Sequence, residues 1–166
     1  MLIEHLLSFT VVIAVQLFFF IIHAVSVNRK AQVFNYLRKG MLIGLPFGII
    51  FDLVIGKHFG LFDYKLGYEL WFLIINGIFS YGFMLANVIL LHRHSLKHMY
   101  LWSVGLAVIY EIINYFFPVW EWTFWSTKME YATVILLLYA GLTWGMMLVL
   151  RMVYRIHFRL VPFIKL

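Results

Sequence analysis

Long apolar runs separated by short polar segments dominate the hydropathy pattern of the chain. About 20 apolar residues in helical conformation cross a hydrocarbon core of about 30 Å. The pattern therefore predicts five transmembrane helices, at about residues 6–25, 41–56, 69–91, 99–117 and 131–150. The second run is short and contains Pro46, which removes a backbone hydrogen bond and favours a kinked helix.

Polar residues recur within these runs at helical spacing. Gln16 and His23 are seven residues apart in the first run, and Asn76 and Ser80 are four apart in the third. We expect such stripes to face the bundle interior, because lipid cannot satisfy their hydrogen bonds. Hydrogen bonding between helices is the ordinary role of these side chains, and ligand binding is the alternative.

The composition supports a membrane protein and excludes several other classes. Of the 166 residues, 64% are hydrophobic and 12% are charged, whereas a soluble domain needs far more charged surface. We therefore predict an all-α, polytopic bundle of five helices that forms one domain over residues 1–166. The absence of cysteine excludes disulfides, thiol catalysis and cysteine metal ligands.

Basic residues are distributed unequally between the two ends of the predicted bundle. Ten of the 13 Lys and Arg residues lie in the first and third connections and the C-terminal tail, and three lie at the other end. The positive-inside rule then places the N-terminus outside and the C-terminus in the cytoplasm, in what we take to be a bacterial cytoplasmic membrane. Because this basic face explains the net charge of +6, nucleic acid is not an expected partner.

Acidic residues cluster at the opposite, outer end. Asp52 and Glu111 lie within apolar runs, and Glu69 begins the third run. A carboxylate in a membrane segment is costly and is functional by default, so these three are our candidate catalytic residues. For Glu69 a favourable interaction with the helix dipole is an equal alternative. We expect the three carboxylates to converge in a pocket that opens toward the outer side.

Two polar residues near Glu111 and one near Glu69 are candidates for substrate contact. Tyr110 is adjacent to Glu111, and Asn114 lies three residues further on, on the same helix face. Asn76 shares a face with Glu69 by the i, i+7 spacing. The pattern therefore places amides and a phenol beside the candidate acids.

Histidine and tryptophan residues outside the runs suggest interfacial roles. His94 and His98 have an i, i+4 spacing that can hold a metal, but neither has an acid or cysteine nearby, and a solvated connector that meets anionic lipid is favoured. We predict no metal and no cofactor. The tryptophan-rich segment 118–130 is expected to lie on the bilayer surface, and Arg151, Arg155 and Arg159 to extend the last helix along it.

One stretch resembles the lycopene cyclase domain and related small integral-membrane terpene cyclases. The resembling residues are Phe51-Asp52, Gly60-Leu61-Phe62, and Glu69 followed by Trp71 and Phe72. The resemblance implies a helical bundle that protonates a polyprenoid without a cofactor, with Asp52 and Glu69 at the matching positions. Trp71 and Phe72 then become candidates for substrate contact. The second half of the chain resembles uncharacterised five-helix membrane proteins of Firmicutes.

Three functions follow from these observations. The first is a terpenoid or carotenoid cyclase or isomerase acting on an apolar, isoprenoid-type substrate, in which aromatic faces, 20% of the residues, stabilise a carbocation. The second is a protein that binds or transports a cation or small molecule through an acidic vestibule. The third is an accessory subunit of a larger membrane complex. Oligomeric state is left open.

Overall fold

A computed structural model describes residues 2–26, 32–91, 96–123 and 128–155, and the protein is 85% helical. The described helices are α1 (Leu2–Ser26), α2 (Val33–His58), α3 (Leu70–Leu91), α4 (Leu96–Phe116) and α5 (Lys128–Tyr154). Two short strands, β1 (Phe62–Tyr64) and β2 (Trp120–Trp122), lie in the connections between α2 and α3 and between α4 and α5.

The helical membrane character predicted from hydropathy is confirmed. Among the described helices, α1, α2, α3 and α5 are long and apolar enough to cross a membrane. Large apolar side chains such as Phe18, Phe34 and Leu148 are exposed on their outer faces, as expected where lipid is the solvent. The predicted fourth span, 99–117, corresponds to α4, which is not among these four, so the count of five spans stays a prediction.

Helix α2 begins at Val33, eight residues before the predicted start. Residues 33–40, which were predicted as part of a basic loop, are therefore helical. Their charged side chains do not oppose this, because Arg38 is exposed and Lys39 lies over the ring of Tyr154 on α5, 5.1 Å from its centroid. Long basic side chains at a helix end can extend toward water and leave the backbone helical. Pro46 lies inside the α-helical part of α2.

Helix α3 is the centre of the bundle. Every residue of its second half, Gly82–Leu91, is buried, and α3 contacts all four other helices. A membrane helix that is apolar and buried all round must be surrounded by other helices. The remaining helices therefore shield the second half of α3 from lipid.

Glycines allow α2 and α3 to pack with their backbones in contact. Gly40, Gly44 and Gly48 on α2 face Gly77 and Gly82 on α3, and we call these five residues the glycine seam. A Cβ added at Gly44 would lie 2.5 Å from the backbone nitrogen of Gly82 and 2.6 Å from the carbonyl oxygen of Gly77. Small residues at this spacing are the usual means of close helix approach in membranes.

The same two helices widen beside the seam. The segment Asp52–His58 of α2 and the segment Asn76–Tyr81 of α3 are both π-helical. Wide turns of this kind are rare and occur often at functional sites, because they change the direction in which side chains project. Each wide segment begins with a buried polar residue, Asp52 or Asn76.

Strands β1 and β2 pair antiparallel across one end of the bundle, and we call this pair the cap. The opposed residues are Phe62 with Trp122, Asp63 with Glu121, and Tyr64 with Trp120. Side chains alternate along a strand, so the aromatic residues face the bundle while Asp63 and Glu121 are exposed. Lys65 forms an ion pair with Glu121, which offsets the repulsion between the two facing acids.

Within the tryptophan-rich segment, residues 120–122 form β2 and turn both tryptophans toward the bundle. The position of the segment on the bilayer surface stays a prediction. The alternation Trp-Glu-Trp matches Phe-Asp-Tyr in the other connection, and this short period-2 pattern is the signal for the cap. Residues 124–127 and the predicted helical tail over 156–166 lie outside the described residues.

The glycine seam generates the first prediction. In Gly44→Ala, the new methyl group meets backbone atoms that cannot move independently, so we expect a loss of about 1–3 kcal/mol in stability. Gly141→Ala is the matched control, because nothing lies within 4 Å of the added Cβ and alanine favours helix. Thermal or SDS unfolding in detergent measures both, and equal stability of the two variants would contradict the seam.

Candidate functional site

A fully buried carboxylate lies at the contact between α2, α3 and the cap. Asp52 is 0% exposed. Its Oδ1 accepts hydrogen bonds from the hydroxyls of Tyr81, at 2.6 Å, and Tyr64, at 2.9 Å, and its Oδ2 accepts one from Nδ2 of Asn76, at 2.9 Å. Asn76 also donates to the Tyr64 hydroxyl oxygen, at 3.0 Å. We call these four residues the Asp52 hub.

Local sequence explains how the Asp52 hub assembles. Asp52 follows Gly48 by one turn, and Asn76 immediately precedes Gly77, so the two polar residues flank the glycine seam. Close backbone approach there lets short side chains bond directly between helices. In the part of the chain that the structure describes, no Lys, Arg or His side chain pairs with Asp52.

Tyr64 reaches the hub from strand β1, outside the membrane-spanning helices. Burial raises its pKa well above the ordinary tyrosine value, and the negative charge of Asp52 raises the pKa further. The hydroxyl therefore stays protonated and acts as a donor to Asp52. Its ring packs edge-on against Phe72, with centroids 4.8 Å apart, which fixes its position.

A cavity of about 90 Å³ lies beneath the cap. All five helices and both strands contribute to its wall. Its lining residues are Phe9, Val12, Gln16, Phe51, Phe62, Tyr64, Asn76, Ser80, Tyr81, Met84, Tyr110, Val119, Trp120, Trp122, Leu138, Tyr139 and Leu142. The Asp52 hub meets the cavity through Tyr64, Asn76 and Tyr81, while Asp52 lies behind them.

Four buried polar atoms of the cavity wall make no hydrogen bond within the described protein. They are Gln16 Oε1, Ser80 Oγ, Tyr110 OH and Trp120 Nε1. A buried polar group without a partner costs about 1–3 kcal/mol, and such groups are rare in native proteins. Their convergence on one cavity indicates that this wall is built to receive polar atoms.

The structure leaves Glu69 away from the other two candidate carboxylates, so the predicted convergence of all three is wrong. Glu69 is exposed, because it precedes α3 in extended conformation and its side chain remains outside the bundle. Glu111 is half-buried and accepts hydrogen bonds from Nε1 of Trp122, at 3.2 and 3.3 Å. None of the three lines the described cavity, but Asp52 is joined to its wall through the hub and Glu111 through Trp122.

The candidate substrate-contact residues separate into two groups. Asn76 and Tyr110 line the cavity. Phe72 is fully buried behind Tyr64, and Trp71, 43% exposed, lies on the outer surface of α3. Asn76 and Tyr110 thus face the cavity, whereas Trp71 and Phe72, which were taken from the family resemblance, do not.

Asn114 has a structural position at the entry to β2. Its Oδ1 accepts hydrogen bonds from the backbone N–H groups of Val119, at 2.8 Å, and Trp120, at 3.1 Å, and its Nδ2 donates to the Trp120 carbonyl, at 2.9 Å. These bonds satisfy backbone groups where the chain leaves α4 at Pro118. Asn114 therefore holds the cap over the cavity.

Sequence reasoning missed several residues of the site. Tyr64 and Tyr81 complete the hub, and Trp120 belongs to the cavity wall. The spacing of Gly40, Gly44 and Gly48 marked the face of α2 that meets α3. No local pattern pointed to Tyr81 as a partner of a residue 29 positions earlier.

The possible histidine metal site falls largely outside what the structure describes. His92 and His94 lie outside the described residues, as does the side chain of His98. Within the described residues, no group of three or more His, Cys, Asp or Glu side chains is placed to hold a metal ion. The cavity wall itself contains aromatic, amide and hydroxyl groups.

The Asp52 hub generates the second prediction. In Tyr81→Phe, one short hydrogen bond to a buried carboxylate is lost, so we expect a destabilisation of about 1–3 kcal/mol. Tyr115→Phe is the control, because Tyr115 is 82% exposed. Thermal unfolding in detergent measures both, and an unchanged Tyr81→Phe protein would show that the hub does not stabilise the fold.

Comparison of the chain with protein-family models, with curated proteins and with solved structures finds no match in any of the three. The functional conclusion for this chain therefore rests on the geometry of the cavity and the Asp52 hub.

Proposed function

We propose that this integral membrane protein binds one small organic molecule, or one end of a lipid, in the cavity beneath the cap. The observation that carries the proposal is the set of four unpartnered polar atoms in a mostly aromatic and aliphatic wall. Ligand sites are typically concave and mostly apolar, with a few converging polar groups that orient the ligand. The cavity beneath the cap has this composition.

The size of the cavity limits what it can hold. A cavity of about 150 Å³ is known to accommodate benzene. The cavity here is about 90 Å³, so a complete polyprenoid would not be enclosed. An isoprenoid-type substrate would place one end in the cavity and leave its chain between helices or in lipid.

Cyclase or isomerase chemistry is a narrower form of this proposal. Alkene protonation requires an acid in contact with the substrate, and Asp52 lies behind its three donors. A proton moving between Asp52 and a bound substrate would pass through the hydroxyl of Tyr64 or Tyr81. This route differs from the direct contact that the family resemblance implies for Asp52.

Binding is favoured over transport by a pair of phenyl rings. Phe20 and Phe83 are almost fully buried and stacked, with centroids 6.4 Å apart. Along α1 and α3 they lie one turn beyond Gln16 and Ser80 and before the polar contact of His23 with Asn87. A passage through the bundle would require these rings to move. An accessory role in a larger complex is compatible with the same cavity.

We also propose five membrane spans, with the cap on the non-cytoplasmic side. The helices alternate in direction, and the basic residues concentrate at the end away from the cap. The positive-inside rule supports this orientation, and the membrane would be the bacterial cytoplasmic membrane. A cavity beneath the cap would then receive its ligand from the outer side or the outer leaflet.

The orientation can be tested directly, because the chain contains no cysteine. We expect Asp63→Cys, in the cap, to react with a membrane-impermeant maleimide in intact cells. Arg38→Cys, at the other end of the bundle, should react only after permeabilisation. Both positions are exposed on the protein surface. The opposite labelling pattern would reverse the proposed orientation.

The binding function is tested by filling the cavity. Ser80→Leu adds volume to the wall and removes one unpartnered hydroxyl, so a molecule that copurifies with the wild type should be lost. Mass spectrometry of extracts from both proteins, purified from the same membranes, measures this, with Gly141→Ala as control. If no molecule is enriched in the wild type over Ser80→Leu, the proposal is wrong. An isoprenoid among the enriched molecules would support the cyclase form.

The stability of Tyr110→Phe gives a second test of the binding function, and this test does not depend on recovering a ligand. The Tyr110 hydroxyl is buried without a partner, so its removal should stabilise the ligand-free protein by about 1 kcal/mol. Tyr81→Phe, in contrast, should destabilise the protein. Two buried tyrosines with opposite effects would separate residues kept for ligand from residues kept for the fold.

A further inference from the structure

We infer that the ligand of this cavity carries a positive charge and is a small organic ammonium ion, with Asp52 as its counter-charge. The inference rests on the proposed binding function and names the chemical class of the ligand. Three independent features support it: the missing counter-charge of Asp52, the hydrogen-bonding character of the wall, and its aromatic composition.

The first feature is electrostatic. Asp52 is 0% exposed, and its partners in the described structure are two hydroxyls and one amide, all neutral. A buried carboxylate is normally paired with a cation, because removing a charge from water is expensive. The cavity is separated from Asp52 by a single layer of hydrogen-bonded side chains. A cation in the cavity would therefore lie close enough to compensate the charge.

The second feature is the bonding capacity of the wall. Gln16 Oε1 is an acceptor, and the Ser80 and Tyr110 hydroxyls can accept. The Tyr81 hydroxyl donates its hydrogen to Asp52, so the hydroxyl oxygen can only accept a hydrogen bond from a ligand in the cavity. An ammonium group has hydrogens to donate and no lone pair to clash with these oxygens. Trp120 Nε1 is the exception, because it is a donor and suits an oxygen elsewhere on the same ligand.

The third feature is the ring content of the wall. Nine aromatic residues line the cavity. They are Phe9, Phe51, Phe62, Tyr64, Tyr81, Tyr110, Tyr139, Trp120 and Trp122. Ring faces attract organic cations, and recognition of ammonium groups by aromatic cages is the usual functional use of this attraction. Aromatic rings also suit a neutral apolar ligand. They therefore favour a cation only in combination with the Asp52 carboxylate, which has no cationic partner in the described structure.

A neutral alcohol is the competing ligand class. It could satisfy one acceptor and the indole donor, and it would leave Asp52 without compensation. An alcohol fits the structure equally well if Asp52 is itself neutral. The two ligand classes therefore differ in one measurable respect, which is whether affinity depends on the charge at position 52.

The test compares two probes of matched shape, n-butylammonium and 1-butanol. Each probe is titrated at neutral pH into the full chain in lipid nanodiscs, and binding is measured by calorimetry. Titration into empty nanodiscs measures partitioning of the probe into lipid. We expect n-butylammonium to bind about tenfold or more tightly than 1-butanol, given the attraction of a charge across one layer of side chains. Asp52→Asn should remove this preference and leave 1-butanol binding unchanged.

Controls separate charge from folding. Asp63→Asn makes the same chemical change on the exposed face of the cap and should preserve the preference. If Asp52→Asn does not fold, Tyr110→Phe takes its place, because it removes one acceptor from the cavity and should weaken n-butylammonium binding several-fold.

The outcomes distinguish this inference from the function on which it rests. Equal binding of the two probes, or a preference that survives Asp52→Asn, overturns the ammonium ligand and leaves the cavity as a binding site. Failure of both probes to bind also overturns it, whereas the loss of a copurifying molecule in Ser80→Leu would still support binding. If neither probe binds and no molecule is enriched, both proposals are wrong.

Discussion

The close approach of α2 and α3 is the constraint on which the rest of the structure depends. Apolar surface provides little driving force between helices in lipid, so tight packing and hydrogen bonds must hold the bundle together. The glycine seam supplies the packing by removing five side chains from the contact. It also brings Asp52 within direct reach of Asn76 and Tyr81. Seam and hub are therefore one unit, since a larger residue in the seam would separate the carboxylate from its donors.

The cap extends this unit to the second half of the chain. Tyr64 joins β1 to the Asp52 hub, and the pairing of β1 with β2 connects it to the segment after α4. Asn114 binds backbone groups at the start of β2, where Pro118 interrupts the helical pattern. A two-stranded sheet has unpaired edges, which suits the end of a bundle where water can satisfy them. The cavity exists because this sheet spans the helix ends without filling the space beneath.

Two sets of buried polar groups lie side by side and differ in their bonding. In the Asp52 hub each hydroxyl and carboxylate oxygen has a partner, which gives a rigid arrangement. Across the cavity, Gln16 and Ser80 carry buried oxygens without protein partners. A preorganised binding site is expected to combine a rigid, fully hydrogen-bonded support with wall atoms whose hydrogen bonds are left for the ligand. An ionised Asp52 behind that wall would also favour a positively charged ligand.

The sequence by itself determined the class of structure and much of its chemistry. Hydropathy located the helices, since lipid permits few other structures, and the cost of an intramembrane charge singled out Asp52. Its partners were decided by tertiary structure, because Tyr64 and Tyr81 reach Asp52 only after α2, α3 and β1 have packed. The same holds for the acids that do not converge: Glu69 and Asp52 both lie near one end of the bundle in sequence terms. Asp52 is buried because it begins a wide helical segment beneath the cap, whereas Glu69 is exposed because it precedes α3 in extended conformation. The sequence does not show this difference in position. Linear spacing carries no information on contacts between distant segments, and the site is made of such contacts.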